Sequence, residues 1–277
     1  SEQPFSFFLS ESMQDHAMSL ILTETSNRIT TITLNRPEKY NSFTESMALE
    51  MQESLREAES DEIRAVLIRA NGKAFCGGQD LPEVVKRAEE DDYELSDTVQ
   101  TSYNPIIHHI RELEKPVVCA VQGTAAGAGA NIAFACDIVL ASEEAVFVQA
   151  FSKIGLIPDS GGTFFLPRLI GIARTNALFL LDEKVTAEKA EKIGLIYRSV
   201  PHNQLVDEAE KITQKLASMP TRGFALYKQA VNQTFNNTLA QQLDLEADLQ
   251  SEAGKTDDYT EGVLAFLERR KPSYHGR

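Results

Sequence analysis

Two short loops and one carboxylate hold the residue types from which reaction chemistry could be built. Cys76-Gly77-Gly78-Gln79-Asp80 follows the apolar run AVLIRA, and Gly127-Ala128-Gly129 runs into the apolar segment ANIAFAC. Loops this poor in side chains can aim backbone N–H groups at a single oxygen, which is what stabilising the enolate of a thioester requires. The second loop opens a predicted helix, whose N-terminal dipole favours negative charge. Asp159, in IGLIPDSGG, has Phe151, Ile154, Leu156, Ile157, Phe164 and Phe165 close by in sequence. A carboxylate among apolar walls holds a proton more readily than one in water. Taken singly, each feature also has a plain structural reading. Gly-rich turns serve close packing, and Asp-Ser-Gly-Gly suits a turn or a helix N-cap.

Other reactive side chains point nowhere in particular. His108 and His109 follow Ile106-Ile107 in a predicted helix, but no carboxylate or cysteine stands at ligand spacing, so they read as exposed or capping histidines and no metal site is expected. Cys76, Cys119 and Cys136 are odd in number and show no C-x-x-C spacing, which fits a reducing cytoplasm better than a disulfide framework. Cys76 adjoins the first Gly loop without a histidine partner and reads as a small buried residue. The net charge of -14 disfavours nucleic acid and anionic lipid as partners, while one local cluster of Lys and Arg could still hold a small polyanion. No apolar run approaches the ~20 residues that would cross a bilayer.

Positioning these residues falls to a regular alternation of elements. LILTET and RITTITL, residues 20–34, read as a hairpin about Ser26-Asn27. TESMALEMQESLREAESD puts Met47, Met51, Leu55 and Ala58 on one helical face, with Thr44 as N-cap. The strand AVLIRA, the first Gly loop and a charged stretch to about Glu114 follow. The run EEDDYELSD (89–97) within that stretch reads as a solvated face. PVVCAVQG, the second small-residue loop with its helix, DIVLAS and AVFVQA then repeat the pattern. This is α/β grammar, with strands stacked and helices outside. From about Thr186 the chain reads as wholly helical, through TAEKAEKIG, VDEAEKITQKLAS, RGFALYKQAVNQTF and DYTEGVLAFLERR. Residues 1–18 read as a loosely ordered extension, 19–200 as the core, and 201–277 as a helical appendage.

NRPEKYNSF, KAFCGGQDL, KPVVCAVQGTAAGAGANIAFACDIVLAS, FSKIGLIPDSGGTFFLPRLIG and EGVLAFLERRKP together identify a known pattern. The chain resembles the crotonase superfamily, the enoyl-CoA hydratase/isomerase family, from about Ser19 to Arg277. The resemblance implies a ββα spiral core, a C-terminal helical trimerisation region, a homotrimer or hexamer, and an acyl-CoA thioester substrate whose coenzyme A is no separate cofactor. It implies oxyanion-hole donors at the backbone N–H groups of Gln79 and Ala128. It also implies coenzyme A contacts at Lys39, Gly78, Asp80 and Leu81, with Phe266 and Arg269 reaching in from a neighbouring subunit.

The departures from the family pattern narrow the chemistry. Hydratases of the family carry two water-activating glutamates, whose positions here hold Asn131 and Phe151. A phenyl ring transfers no proton and an amide is a poor general base. Asp159 stands where double-bond-shifting members place a carboxylate, and one carboxylate suffices for a 1,3-proton shift. FSKIGLIPDSGG, FCGGQDL, Asn131 and QLDLEADLQ most resemble the ring-1,2-epoxyphenylacetyl-CoA isomerases of phenylacetate catabolism, with a linear enoyl-CoA isomerase as the near alternative. A hydratase stays open, as does a dehalogenase of the 4-chlorobenzoyl-CoA type, which would use Asp159 as a nucleophile. The chain has no tryptophan, which that enzyme type places at position 151. A non-catalytic acyl-CoA-binding scaffold is the remaining alternative.

Overall fold

The hairpin that opens the fold turns in two residues. Strands β1 (Ile21–Ser26) and β2 (Ile29–Leu34) pair antiparallel with Ser26 opposite Ile29, and both Asn27 and Arg28 have positive φ. Left-handed residues at both turn positions match the twist of the flanking strands. A computed structural model describes residues 19–89 and 92–277. The expected extension over residues 1–18 and the middle of the acidic run lie outside the described residues.

Helix α1 (Glu45–Glu57) starts where expected, with the Thr44 hydroxyl accepting from the Met47 N–H at 3.2 Å. Met47, Met51, Leu55 and Ala58 are all buried. Strand β3 (Ala65–Ala70) lies parallel to β2. The charged stretch that follows holds α2 (Leu81–Arg87), α3 (Leu95–Thr98), one π turn at Val99–Tyr103, and α4 (Asn104–Glu112), the helix expected about His108 and His109. The first two are short and begin on local caps at Asp80 and Glu94, so no long apolar period announces them.

Two sheets then grow together. Strands β4 (Val117–Val121), β6 (Ile138–Ser142) and β9 (Arg198–Val200) extend the first sheet, in the order β1-β2-β3-β4-β6-β9. Strands β5 (Ala125–Ala126), β7 (Val146–Val148) and β8 (Val185–Thr186) form the second, in the order β5-β7-β8. The early circuits add a strand to the first sheet and only the isolated bridges Phe43–Gln79 and Cys76–Ala125 beside the second. Helix α5 (Ala128–Ala135), between β5 and β6, is buried along its whole length. The buried strand and helix side chains pack as one main cluster.

Helix α6 (Gly162–Leu180) follows the second sheet's β7 and is broken at Gly171, where φ is 77°. After β8 come α7 (Ala187–Lys192), α8 (Leu205–Ala217), α9 (Thr221–Gln233), α10 (Leu239–Ala253) and α11 (Asp257–Leu267). The region from Thr186 onward is therefore not wholly helical: β9 interrupts it. Three residues are too few for a strand's alternation to register in sequence, and β9 is defined by pairing with β6.

Candidate active site

The two Gly loops occupy equivalent places on successive circuits of the spiral. Cys76 bridges Ala125 in parallel register, and Ala126 N–H donates to the Cys76 carbonyl at 2.9 Å. Three residues beyond that bridge on either strand stand Gln79 and Ala128. A second bridge, Phe43 with Gln79, takes up the Gly78 carbonyl and the Asp80 N–H, at 2.7 and 2.9 Å. In parallel pairing the N–H of the bridging residue itself then faces away from Phe43. Ala128 begins α5, so its N–H has no carbonyl within the helix to accept it. The loops meet at Gly78, which has φ of 91°. A Cβ there would lie 3.0 Å from the Ala126 carbonyl oxygen and 3.8 Å from the Ala128 nitrogen. Side-chain-free backbone is thus required where the donors approach each other.

Cys76 spaces these loops. Its Sγ donates to the Asn41 carbonyl at 3.1 Å and accepts from Gly78 N–H at 3.4 Å. A Cβ on Gly129 would stand 2.5 Å from that sulfur. Burial pushes the thiol up to about 12, so it stays neutral and serves packing, as expected for a small buried residue.

Asp159 lies one element further on, partly buried at the entry to α6. Burial is the larger influence on its carboxyl and raises its pKa, while the Ser160 hydroxyl, donating to Oδ1 at 2.9 Å, opposes the rise. Tyr103 is buried at the end of the π turn with its ring edge-on to Phe43 at 6.2 Å. Burial first, and the Asp159 charge second, push its hydroxyl well above the usual range, so it remains a neutral donor near the carboxylate.

Asn131 stands three residues after Ala128 on α5. Its Nδ2 donates to the main-chain carbonyl of Asp159 at 2.9 Å, and its Oδ1 accepts from Gln149 at 3.0 Å. Phe151 is buried, and its ring passes 3.6 Å from where a Cβ on Gly127 would be. Gly78, Gln79, Ala128, Asn131, Phe151 and Asp159 therefore form one connected neighbourhood.

The remaining expected contacts form its rim. Asp80 caps α2 by accepting from Glu83 N–H at 3.1 Å, and pairs with Arg36 at 2.6 Å. Although burial opposes ionisation, Arg36 and the cap hold its carboxyl below the usual range. Its side chain is thus occupied, and so is its main chain, whose N–H donates to the Phe43 carbonyl at 2.9 Å and whose carbonyl accepts from Val84 N–H at 3.2 Å. Lys39 is exposed beside it, and Leu81, the first residue of α2, is also exposed. Phe266, 82% exposed at the end of α11, and Arg269 beyond it are open to solvent in the single chain. Contrary to the sequence reading, a carboxylate does stand at helical spacing from His108, since Glu112 pairs with it at 3.0 Å, and His109 faces Glu59; among the described residues these pairs do not grow into a group of three that could hold a metal. A cavity of about 1050 Å³ lies elsewhere, between Arg64, Lys115, Thr221 and His275, and includes none of the site residues. Arg36, Tyr103, Ser160 and Gln149 are site neighbours that sequence reasoning did not single out.

Known proteins share this fold over nearly the whole chain. The model of the enoyl-CoA hydratase/isomerase family matches residues 24–277. The chain belongs to this family. Members act on acyl-CoA thioesters, and the crotonase-type fold is that of their solved structures. The crystal structure of enoyl-CoA hydratase from Bacillus anthracis superposes with a TM-score of 0.87 at 31% identity, over 93% of this chain and 100% of that one. Among curated relatives, the 1,2-epoxyphenylacetyl-CoA isomerase of Escherichia coli (strain K12) is 45% identical over 94% of this chain and 100% of its own length. A Rhodobacter capsulatus family member named a probable enoyl-CoA hydratase is 41% identical, over 92% and 97% of the two chains.

Proposed function

We infer that the protein is an acyl-CoA isomerase that moves one proton with Asp159. The observation that carries this reading is a single carboxylate with a raised pKa in a site whose two hydratase positions hold an amide and a phenyl ring. Asp159 removes the α-proton of a β,γ-unsaturated thioester. The C–H electron pair flows into the carbonyl, and the backbone N–H groups of Gln79 and Ala128 stabilise the oxyanion. The carboxylic acid then returns the proton to the γ-carbon as the electrons flow back, leaving the α,β-unsaturated isomer. A raised pKa suits a group that must hold the proton between the two steps. Asn131 and Phe151 offer no second acid or base for the addition of water.

The likeness to the Escherichia coli isomerase supports a ring-epoxide or otherwise unsaturated acyl-CoA of phenylacetate catabolism as substrate. Lys39, Gly78, Asp80 and Leu81 would then line the coenzyme A path, with Phe266 and Arg269 completing it from a neighbouring subunit in a homotrimer or hexamer. Cytoplasmic placement accords with three free, buried cysteines. The test is mass spectrometry of products from straight-chain and phenylacetyl-derived acyl-CoA thioesters incubated in heavy water. Isomerisation gives deuterium incorporation without the mass of an added water. A water adduct as the main product would favour a hydratase, and halide release from a 4-halobenzoyl thioester a nucleophilic Asp159.

A further inference from the structure

Asn131 has no exposed surface (0%), and each end of its amide is held by a hydrogen bond. The direction of its two bonds is forced. The Asp159 carbonyl can only accept, so Asn131 must face it with its NH2. Its Oδ1 then faces Gln149, which must answer with an NH2 of its own, and the Gln149 Oε1 is left buried without a partner. An unpaired buried amide oxygen costs stability.

What the relay grips is a strained turn. The Asp159 carbonyl also accepts from Gly162 N–H at 2.8 Å, closing a turn whose central residues, Ser160 (φ 50°) and Gly161 (φ 77°), are both left-handed. Glycine adopts that region freely, whereas serine holds it only where the surroundings over-determine the backbone. Gly162 has no room for a side chain: a Cβ would stand 2.5 Å from Asn131 Nδ2 and 3.0 Å from its Cγ. The missing side chain is the passage through which the Asn131 amide reaches the carbonyl.

We propose that Asn131 and Gln149 are positioning residues, a two-amide relay that fixes the backbone of Asp159 and so aims its carboxylate at the thioester. The proposal rests on the reading of Asp159 as the base. Position 131 is then not a vacated water-activating site. A glutamate or aspartate introduced there would set an acceptor against the Asp159 carbonyl and push the base out of line.

Four variants of the full chain test this: Asn131→Leu, Asn131→Asp, Gln149→Met and Gly162→Ala. Each is assayed with a 3-enoyl-CoA for kcat, KM and the pH dependence of kcat, with thioester binding followed by calorimetry and folding by thermal unfolding. A misplacement of about an ångström costs on the order of a hundredfold in rate, and that loss in kcat is expected for both Asn131 variants and for Gly162→Ala. Gln149→Met, which keeps the packing and removes only the outer link, should lose about tenfold in kcat, a fraction of that misplacement cost. Thioester affinity should stay within about threefold of wild type, because only the positioning of the base is disturbed. The acid limb of kcat should move to lower pH, since a loosened carboxylate regains water; simple destabilisation would not move it. A kcat within about threefold of wild type in Asn131→Asp or Gln149→Met, or a loss confined to KM, would overturn the relay. If Asn131→Leu does not fold, Gln149→Met decides alone. Retained activity in Asp159→Asn removes the base itself and the relay with it, whereas loss there beside active relay variants sinks the relay only.

Discussion

The role proposed for Asp159 carries a folding cost. Burial raises its pKa, so folding favours the protonated form and ionising it in the native state costs stability. Below the unfolded carboxyl's pKa, about 3.9, both states are protonated and the cost vanishes. It grows as pH rises and is complete above the raised folded value. An Asn at this position never ionises. Asp159→Asn is therefore expected to unfold at a higher temperature than wild type at pH 8, with the gap closing as pH falls through the carboxyl range. Thermal unfolding of the two proteins across pH 4–8 checks the sign. Equal unfolding temperatures throughout would mean that the carboxylate is not desolvated. The catalytic counterpart is an acid limb of kcat/KM that lies above the usual carboxylate range, because the base must be ionised to act.

At the scale of elements, the proposed oxyanion donors depend on how closely two successive circuits approach. Gly129 lets α5 come up against Cys76, and a Cβ there would stand 2.5 Å from both Cβ and Sγ of Cys76. Gly129→Ala should cost about 1–3 kcal/mol through overpacking. It should also lower kcat, because the displaced helix carries Ala128. Chemical denaturation beside steady-state kinetics checks both effects, and a variant of unchanged stability would show that α5 can shift freely. Ala128→Pro should abolish turnover by removing the donor N–H. Much of this was legible in sequence, since the absence of side chains in KAFCGGQDL and GTAAGAGA is itself the requirement for a close approach. The register was not legible. Cys76 and Ala125 are paired only because the circuits stack, and that pairing is what makes Gln79 and Ala128 equivalent. Gln149 escaped notice for the same reason. It reads as the end of an ordinary strand, and it meets Asn131, 18 residues away, only because β7 follows α5 around the spiral. The helix about His108 was legible, but α2 and α3 were hidden because their starts are set by single caps rather than by an apolar period.

At the scale of the whole molecule, the C-terminal helices are tied to the core by buried polar groups as well as by apolar contact. Lys228 on α9 is buried and donates to the Ile110 and Lys115 carbonyls, at 2.7 and 3.2 Å, and to Asp137 at 2.8 Å. Burial lowers its pKa and Asp137 opposes the shift. Lys228→Met should destabilise the protein by about 3 kcal/mol, the lower end for a broken buried pair, because Arg111 still pairs with Asp137. Arg64 makes a similar tie from the core to Thr221 and to the Tyr274 carbonyl, at 2.9 and 2.8 Å. The outward faces are different. Leu180, Leu181, Phe235, Leu239, Phe266 and Leu267 are exposed in the single chain, large apolar side chains of the kind that subunit contacts cover. Sedimentation at micromolar concentration should give a trimer or hexamer, and a monomer would contradict this. The helical character of the C-terminal quarter was legible from amphipathic spacing, but nothing in the spacing marks Lys228 or Arg64 as buried.

The central claim is that one carboxylate does the proton transfer, and the most direct measurement is single-turnover isomerisation of a 3-enoyl-CoA by Asp159→Asn beside wild type, with thioester affinity measured for both. Asn preserves the shape and could cap a helix or turn almost as well as Asp, so a structural role would survive the change. The account predicts a rate lower by ~10²–10⁴-fold, the usual loss for a missing general base, with affinity little changed. An Asn variant that isomerises at the wild-type rate would contradict it.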